Sequence, residues 1–161
     1  MNILGVDPGL KTTGYGVIRL THNKIRLVEA GIITPKSKEL IQNRIATIYR
    51  GLEEIIVQHR PEVLVLEKLY THYRHATTAC ILGHVRGVIC LLCSLTKIQL
   101  VEHSVKRIRV ALTGKGQASK MQTQGMVAHV LGIDPRKLTA DASDALALAL
   151  GYAQIAGRRK L

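Results

Sequence analysis

The run Val63-Leu64-Val65-Leu66, with Pro61 just before it and Glu67 just after, constrains this chain more than any other stretch. Four consecutive apolar residues rich in β-branching read as a strand buried on both faces. Such a strand needs helices on both sides of its sheet, which excludes an all-β sandwich with one wet face. The flanking patterns agree. Residues 39–59 repeat Leu40, Ile41, Ile45, Ile48, Leu52, Ile55 and Ile56 at helical spacing, and Pro61 stops that helix.

A second buried strand is predicted over residues 2–7, ending at the turn signal Asp7-Pro8-Gly9. Residues 13–20 and 25–34 read as two more strands, joined by short breaks and therefore expected as antiparallel hairpins. Beyond Glu67 come a polar segment, Lys68 to about Arg74, an apolar helix to about Leu95, and a strand from Ile98 to Val101. Residues 104–112 and 117–131 read as helices around Thr113-Gly114-Lys115-Gly116, and a last helix runs from about Asp141 to about Ala156. The order β-β-β-α-β-α-β-α-α-α predicts an α/β fold: a mixed five-stranded sheet, three antiparallel hairpin strands plus two parallel strands, flanked by helices. No repeat or linker divides the 161 residues, so one domain is expected over 1–157, followed by a short basic tail over 158–161.

Charge narrows the function. Lys and Arg total 23 against 11 Asp and Glu, a net +12. A domain this basic usually meets a polyanion, nucleic acid first, although a solvated basic surface gives the same count. Three cysteines, Cys80, Cys90 and Cys93, are an odd number with no secretory leader before them, which argues against a disulfide scaffold. Cys90-Leu91-Leu92-Cys93 lies within an apolar helix and is expected to pack in the core rather than bind zinc. No run of about 18 uncharged apolar residues occurs, so no membrane span is expected and the cytoplasm is the expected compartment.

Two of the few acids stand where burial makes a carboxylate costly: Asp7 and Glu67 each end an apolar strand. In open α/β sheets, sites lie at the carboxyl ends of strands. Asp141 and Asp144, three apart on the final helix, can face one point. Each has a plainer reading: a turn residue for Asp7, a solvent-facing strand end for Glu67, an N-cap for Asp141 and a capping-box acid for Asp144. Taken together, four converging carboxylates would repel one another unless cations joined them. Hard oxygen ligands suit Mg²⁺ or Mn²⁺. Two such ions would suit in-line phosphodiester hydrolysis, one activating water and the other stabilising the leaving 3′ oxygen.

Five colinear segments carry a family resemblance: Ile3-Leu4-Gly5-Val6-Asp7-Pro8-Gly9 with Thr13-Gly14-Tyr15-Gly16; Leu66-Glu67; Leu82-Gly83-His84-Val85-Arg86-Gly87; Thr113-Gly114-Lys115-Gly116-Gln117-Ala118-Ser119-Lys120; and Asp141-Ala142-Ser143-Asp144-Ala145-Leu146-Ala147. Over nearly its whole length the chain resembles the RuvC-type Holliday junction resolvases, a branch of the RNase H-like superfamily. The resemblance implies that Asp7, Glu67, Asp141 and Asp144 are catalytic acids and metal ligands, with Mg²⁺ as cofactor, Mn²⁺ substituting, and two ions per subunit. It also implies a homodimer that nicks a four-way DNA junction symmetrically, in recombination and repair, alongside the bacterial branch-migration complex of RuvA and RuvB.

Two positions depart from the pattern. Arg109 stands where the family usually has Lys, which favours phosphate binding over a role needing ammonium geometry. Tyr70 stands where Phe is frequent, and can still stack on a base. Tyr70, Arg74, Arg109, Lys115 and Lys120 are the expected DNA contacts, with Gly114 and Gly116 leaving room for a phosphate beside the backbone. Other classes compete. An actin-type ATP-binding lobe also starts with Asp and a hairpin but needs two lobes. A non-catalytic binder of structured nucleic acid would use the acids only as caps and turns. A nuclease of RNA or RNA–DNA hybrid would keep the fold and change the substrate.

Overall fold

A computed structural model describes residues 1–22, 24–68 and 76–158. The elements are β1 (Asn2–Asp7), β2 (Thr13–Thr21), β3 (Lys24–Ile33), α1 (Ile41–His59), β4 (Val63–Glu67), α2 (Ala76–Thr96), β5 (Gln99–His103), α3 (Val105–Thr113), α4 (Lys120–Leu131) and α5 (Ala140–Arg158), with a 3₁₀ turn at Pro135–Lys137. The strands form one sheet in the order β3-β2-β1-β4-β5. β1 to β3 are antiparallel hairpins, and β4 and β5 are parallel to β1, as the element order predicted.

Parallel register places the acids. Ile3 pairs with Val63 and Val6 with Leu66, so Asp7 and Glu67 are the next residues on two neighbouring strands. Side chains alternate across a sheet, and this decides which face each acid meets. Leu4, Val6, Leu64 and Leu66 enter the core under α1 and α2, with Ile48, Leu52, Val85, Ile89 and Leu92. Ile3, Val63 and Val65 enter the opposite core with Ile108, Val127, Leu146 and Leu150 from α3, α4 and α5. Asp7 and Glu67 share parity with the second set and therefore meet the face that α5 covers.

Helix α5 lies unusually close to that face. A β-carbon on Gly5 would overlap the carbonyl of Ala145, and one on Gly14 would overlap the carbonyl of Asp141. Glycine is required at both positions because backbone meets backbone there.

Several boundaries differ from the sequence reading. α4 begins at Lys120 rather than 117, because Ser119 and Gln122 form a reciprocal capping box. Gly114 closes α3 in the left-handed conformation at φ 76°. α5 begins at Ala140, where the Thr139 hydroxyl accepts from Ala142 N at 3.3 Å, so Thr139 does the capping that the plainer reading gave Asp141. Cys93 is buried as expected, but Cys90 is exposed, because α2 buries only one of its faces. By length and composition Thr77–Thr96 is apolar enough to cross a membrane, although Val85, Ile89, Leu92 and Cys93 pack into the sheet's core. Leu91 and Leu95, on its outer face, are 53 % and 63 % exposed.

Candidate metal and nucleic-acid site

The carboxyl ends of β1 and β4 open into a cleft of about 180 Å³ roofed by α3, α4 and α5. Asp7, Glu67 and Asp144 line it together with Arg109 and Lys120. Asp141 faces a neighbouring cleft, formed by the β1–β2 turn and the first turns of α1 and α2. The structure thus brings three of the four expected acids into one cavity and sets the fourth in the second, close enough for its charge to act on Asp7.

Electrostatics tie all four together. Burial and the charges of Asp144, Asp141 and Glu67 push the Asp7 carboxyl up to about 7, and the nearby Lys120 ammonium only partly opposes them. Burial, then Asp144, raises Glu67, while Arg109 and Arg86 pull it back. Lys120 Nζ lies 2.5 Å from Asp144 Oδ2, and this hydrogen bond raises the ammonium above its ordinary value. Two of the basic residues expected to touch DNA, Arg109 and Lys120, therefore line the acidic cleft. Lys115 is exposed on the turn between α3 and α4, where Thr113 Oγ1 accepts from Lys115 N at 3.2 Å and donates to Arg109 O at 2.8 Å. Tyr70 and Arg74 lie outside the described residues.

One contributor was not anticipated. Arg86 of α2, only 8 % exposed, donates from Nη1 to the carbonyl of Glu67 at 2.8 Å and pairs through Nη2 with Glu102 of β5. It fixes the end of β4 from behind. Its signal in the sequence was a lone cation within an apolar helix.

The sequence matches the family model for crossover junction endodeoxyribonuclease RuvC over residues 3–152. The chain belongs to the RuvC family. The RuvC of Protochlamydia amoebophila is 39 % identical over 95 % of this chain and 90 % of its own. That of Rhodopirellula baltica is 37 % identical over 92 % and 83 %. In structure the chain is similar to Thermus thermophilus RuvC, free and in complex with a Holliday junction substrate. Both superpose with a TM-score of 0.89, at 26 % and 24 % identity, over 99 % and 98 % of this chain and 97 % and 96 % of theirs. The fold is therefore the RNase H-like fold of RuvC.

RuvC nucleases are metal-dependent. Among the described residues no group of three or more His, Cys, Asp or Glu side chains forms a ready-made cage for an ion. The donor set nonetheless fits a hard cation. It consists of carboxylates alone, and one of them, Asp7, is driven towards protonation by burial and by its neighbours. Such a surplus of negative charge is relieved by a divalent ion, which characteristically completes its shell with water and substrate phosphate.

Proposed function

We propose that this RuvC-family chain is a structure-specific endonuclease that resolves four-way DNA junctions in recombination and repair, by hydrolysing phosphodiester bonds symmetrically in two strands. The observation carrying this reading is the Asp7 carboxyl, raised to about 7 by burial and by three other carboxylates, beside a cleft that also holds Arg109 and Lys120. Acids that disfavour one another's ionisation are poised for metal, and cations beside them are poised for phosphate.

Asp7, Glu67, Asp141 and Asp144 would hold the metal, Mg²⁺ with Mn²⁺ as substitute, in a pair per subunit. When bound, such ions supply Lewis-acid charge for activating water and stabilising the leaving 3′ oxygen. The chain's own groups do the rest. Arg109 and Lys120 bind the non-bridging oxygens of the phosphate to be cut, and Arg86 holds the main chain at Glu67. Lys115, Arg74 and Tyr70 extend the contact along the junction, the tyrosine by stacking. Residues 1–157 act as one nuclease domain and 158–161 as a basic tail.

Symmetric cutting needs two active sites. The exposed Leu91 and Leu95 on α2 support a homodimer through that face, working with RuvA and RuvB in the cytoplasm.

The test is a labelled synthetic four-way junction incubated with wild type and Asp7→Asn, in Mg²⁺ and in EDTA, with linear duplex alongside. Paired nicks near the crossover, from wild type with metal alone, are expected. Junction binding without cleavage in any divalent metal would leave a binding protein. Equal cutting of linear duplex would remove the junction specificity.

A further inference from the structure

The second cleft, about 530 Å³, is lined by Lys11 and Thr12 of the β1–β2 turn, Arg44 of α1, Thr78 of α2, and Asp141. From this arrangement we infer a second phosphate-binding site, which takes the DNA backbone phosphate next to the one being cut. The inference rests on the junction-cleaving reading above and adds a subsite to it.

The turn is built rather than loose. Thr13, fully buried, donates from Oγ1 to Gly9 O at 2.8 Å and accepts from Gly9 N at 3.4 Å. Arg44 reaches from α1 and donates through Nη2 to Leu10 O at 2.9 Å. Lys11 and Thr12 are thus presented by a pinned loop.

The charges along this cleft are unmet. Arg44 Nε is buried and has no hydrogen-bond partner. None of the ion pairs among the described residues involves Lys11 or Arg44. A partly buried guanidinium without a carboxylate costs free energy that an anionic ligand offsets. Neither α1 nor α2 has an acid in its first turn, and the positive ends of the two helices add to the cationic character of the cleft. Among the described residues lining the cleft the one acid is Asp141, a candidate metal ligand, whose charge is neutralised whenever a cation is held. Asp141 also links the two sites: it lines this cleft, and its charge acts on Asp7 in the other. Forked guanidinium, ammonium and hydroxyl donors are a phosphodiester-binding set.

The experiment is a scan with single neutral methylphosphonates placed at successive positions around the cleavage site of a four-way junction. Binding is measured in Ca²⁺, a hard divalent cation that neutralises Asp141, for wild type, Lys11→Gln and Arg44→Gln. Wild type is expected to lose roughly 10-fold in affinity at one position adjacent to the cut bond, and both variants to be indifferent there. On the unmodified junction, each variant's salt slope should fall by about 0.9. Because Arg44 also clamps the turn, exposed Lys11 is the variant free of folding effects, and it must show the change by itself. A wild-type slope for Lys11→Gln, with full sensitivity retained at every methylphosphonate, overturns the site. Wild type that fails to bind any junction overturns the junction reading, and the subsite with it.

Discussion

Lys120 Nζ lies 2.5 Å from Asp144 Oδ2, so a protein cation stands on a ligand oxygen that a divalent ion would claim. The two compete. Lys120→Met is expected to tighten Mn²⁺ binding several-fold in a calorimetric titration, and to lower single-turnover cleavage at least 10-fold because a phosphate contact is lost. Unchanged Mn²⁺ affinity would show that Lys120 does not compete for the oxygen.

Asp7 makes stability and function oppose each other. Its folded-state carboxyl titrates at about 7, above the ordinary 3.8, so folding favours the protonated form. The stability this contributes is complete below about pH 4 and is lost as pH rises through 7. Asp7→Asn, which never ionises, should therefore melt above wild type at pH 8 in EDTA by on the order of 2 kcal/mol, roughly 4–8 °C, and alike at pH 4. It should also abolish cleavage. A variant less stable than wild type at pH 8 would mean that the carboxylates do not strain one another.

Gly14→Ala tests the close approach of β2 and α5. The added methyl would overlap the Asp141 carbonyl and force the start of the helix outward. Overpacking of this kind costs about 1–3 kcal/mol. Chemical denaturation should show that loss. Metal affinity should fall with it, since Asp141 rides on the displaced turn. The same substitution at Gly83 or Gly87, where nothing lies within 4 Å, should leave metal affinity unchanged.

Arg86→Met removes a buried cation and leaves both Glu102 and the Glu67 carbonyl without it. A loss of about 1–2 kcal/mol is expected, mainly from the unpaired Glu67 carbonyl, because Glu102 stays solvated. Cleavage should drop through kcat with little change in junction affinity, because Arg86 touches the strand behind the acid rather than the DNA. Arg86→Lys should recover part of kcat. A change in junction affinity alone would assign Arg86 to binding instead.

What could be read from the sequence followed from local pattern. Val63 to Leu66 and Ile3 to Val6 are short apolar runs with acids at their ends, and alternation alone carries those acids to one face. The cap of α5 could not be read this way. Thr139 and Asp141 both suit an N-cap, and only the contact of Gly14 with Asp141, more than 120 residues away in sequence, shows which one is turned to the sheet. Nothing in the local sequence singles out Arg44, because the carbonyl it reaches, that of Leu10, is 34 residues distant. Cys90 and Cys93 share one apolar stretch. Which of them is buried depends on the face α2 turns to the sheet, and so many outward residues are apolar that the pattern there carries little directional signal.

The sheet order has a dynamic consequence. β1 and β4 are two of its three interior strands, each hydrogen-bonded on both sides, and α5 is anchored by the fully buried Leu146 and Leu150. The main-chain amides of such segments exchange with solvent through opening of the whole domain rather than by local fraying. Asp7, Glu67 and Asp144 therefore belong to the slowest-exchanging unit of the molecule, while the turn carrying Lys115 can open independently. Heating will retain the acidic cluster until the cooperative transition and then lose it all at once, so the thermal limit of catalysis and the melting temperature of the fold coincide.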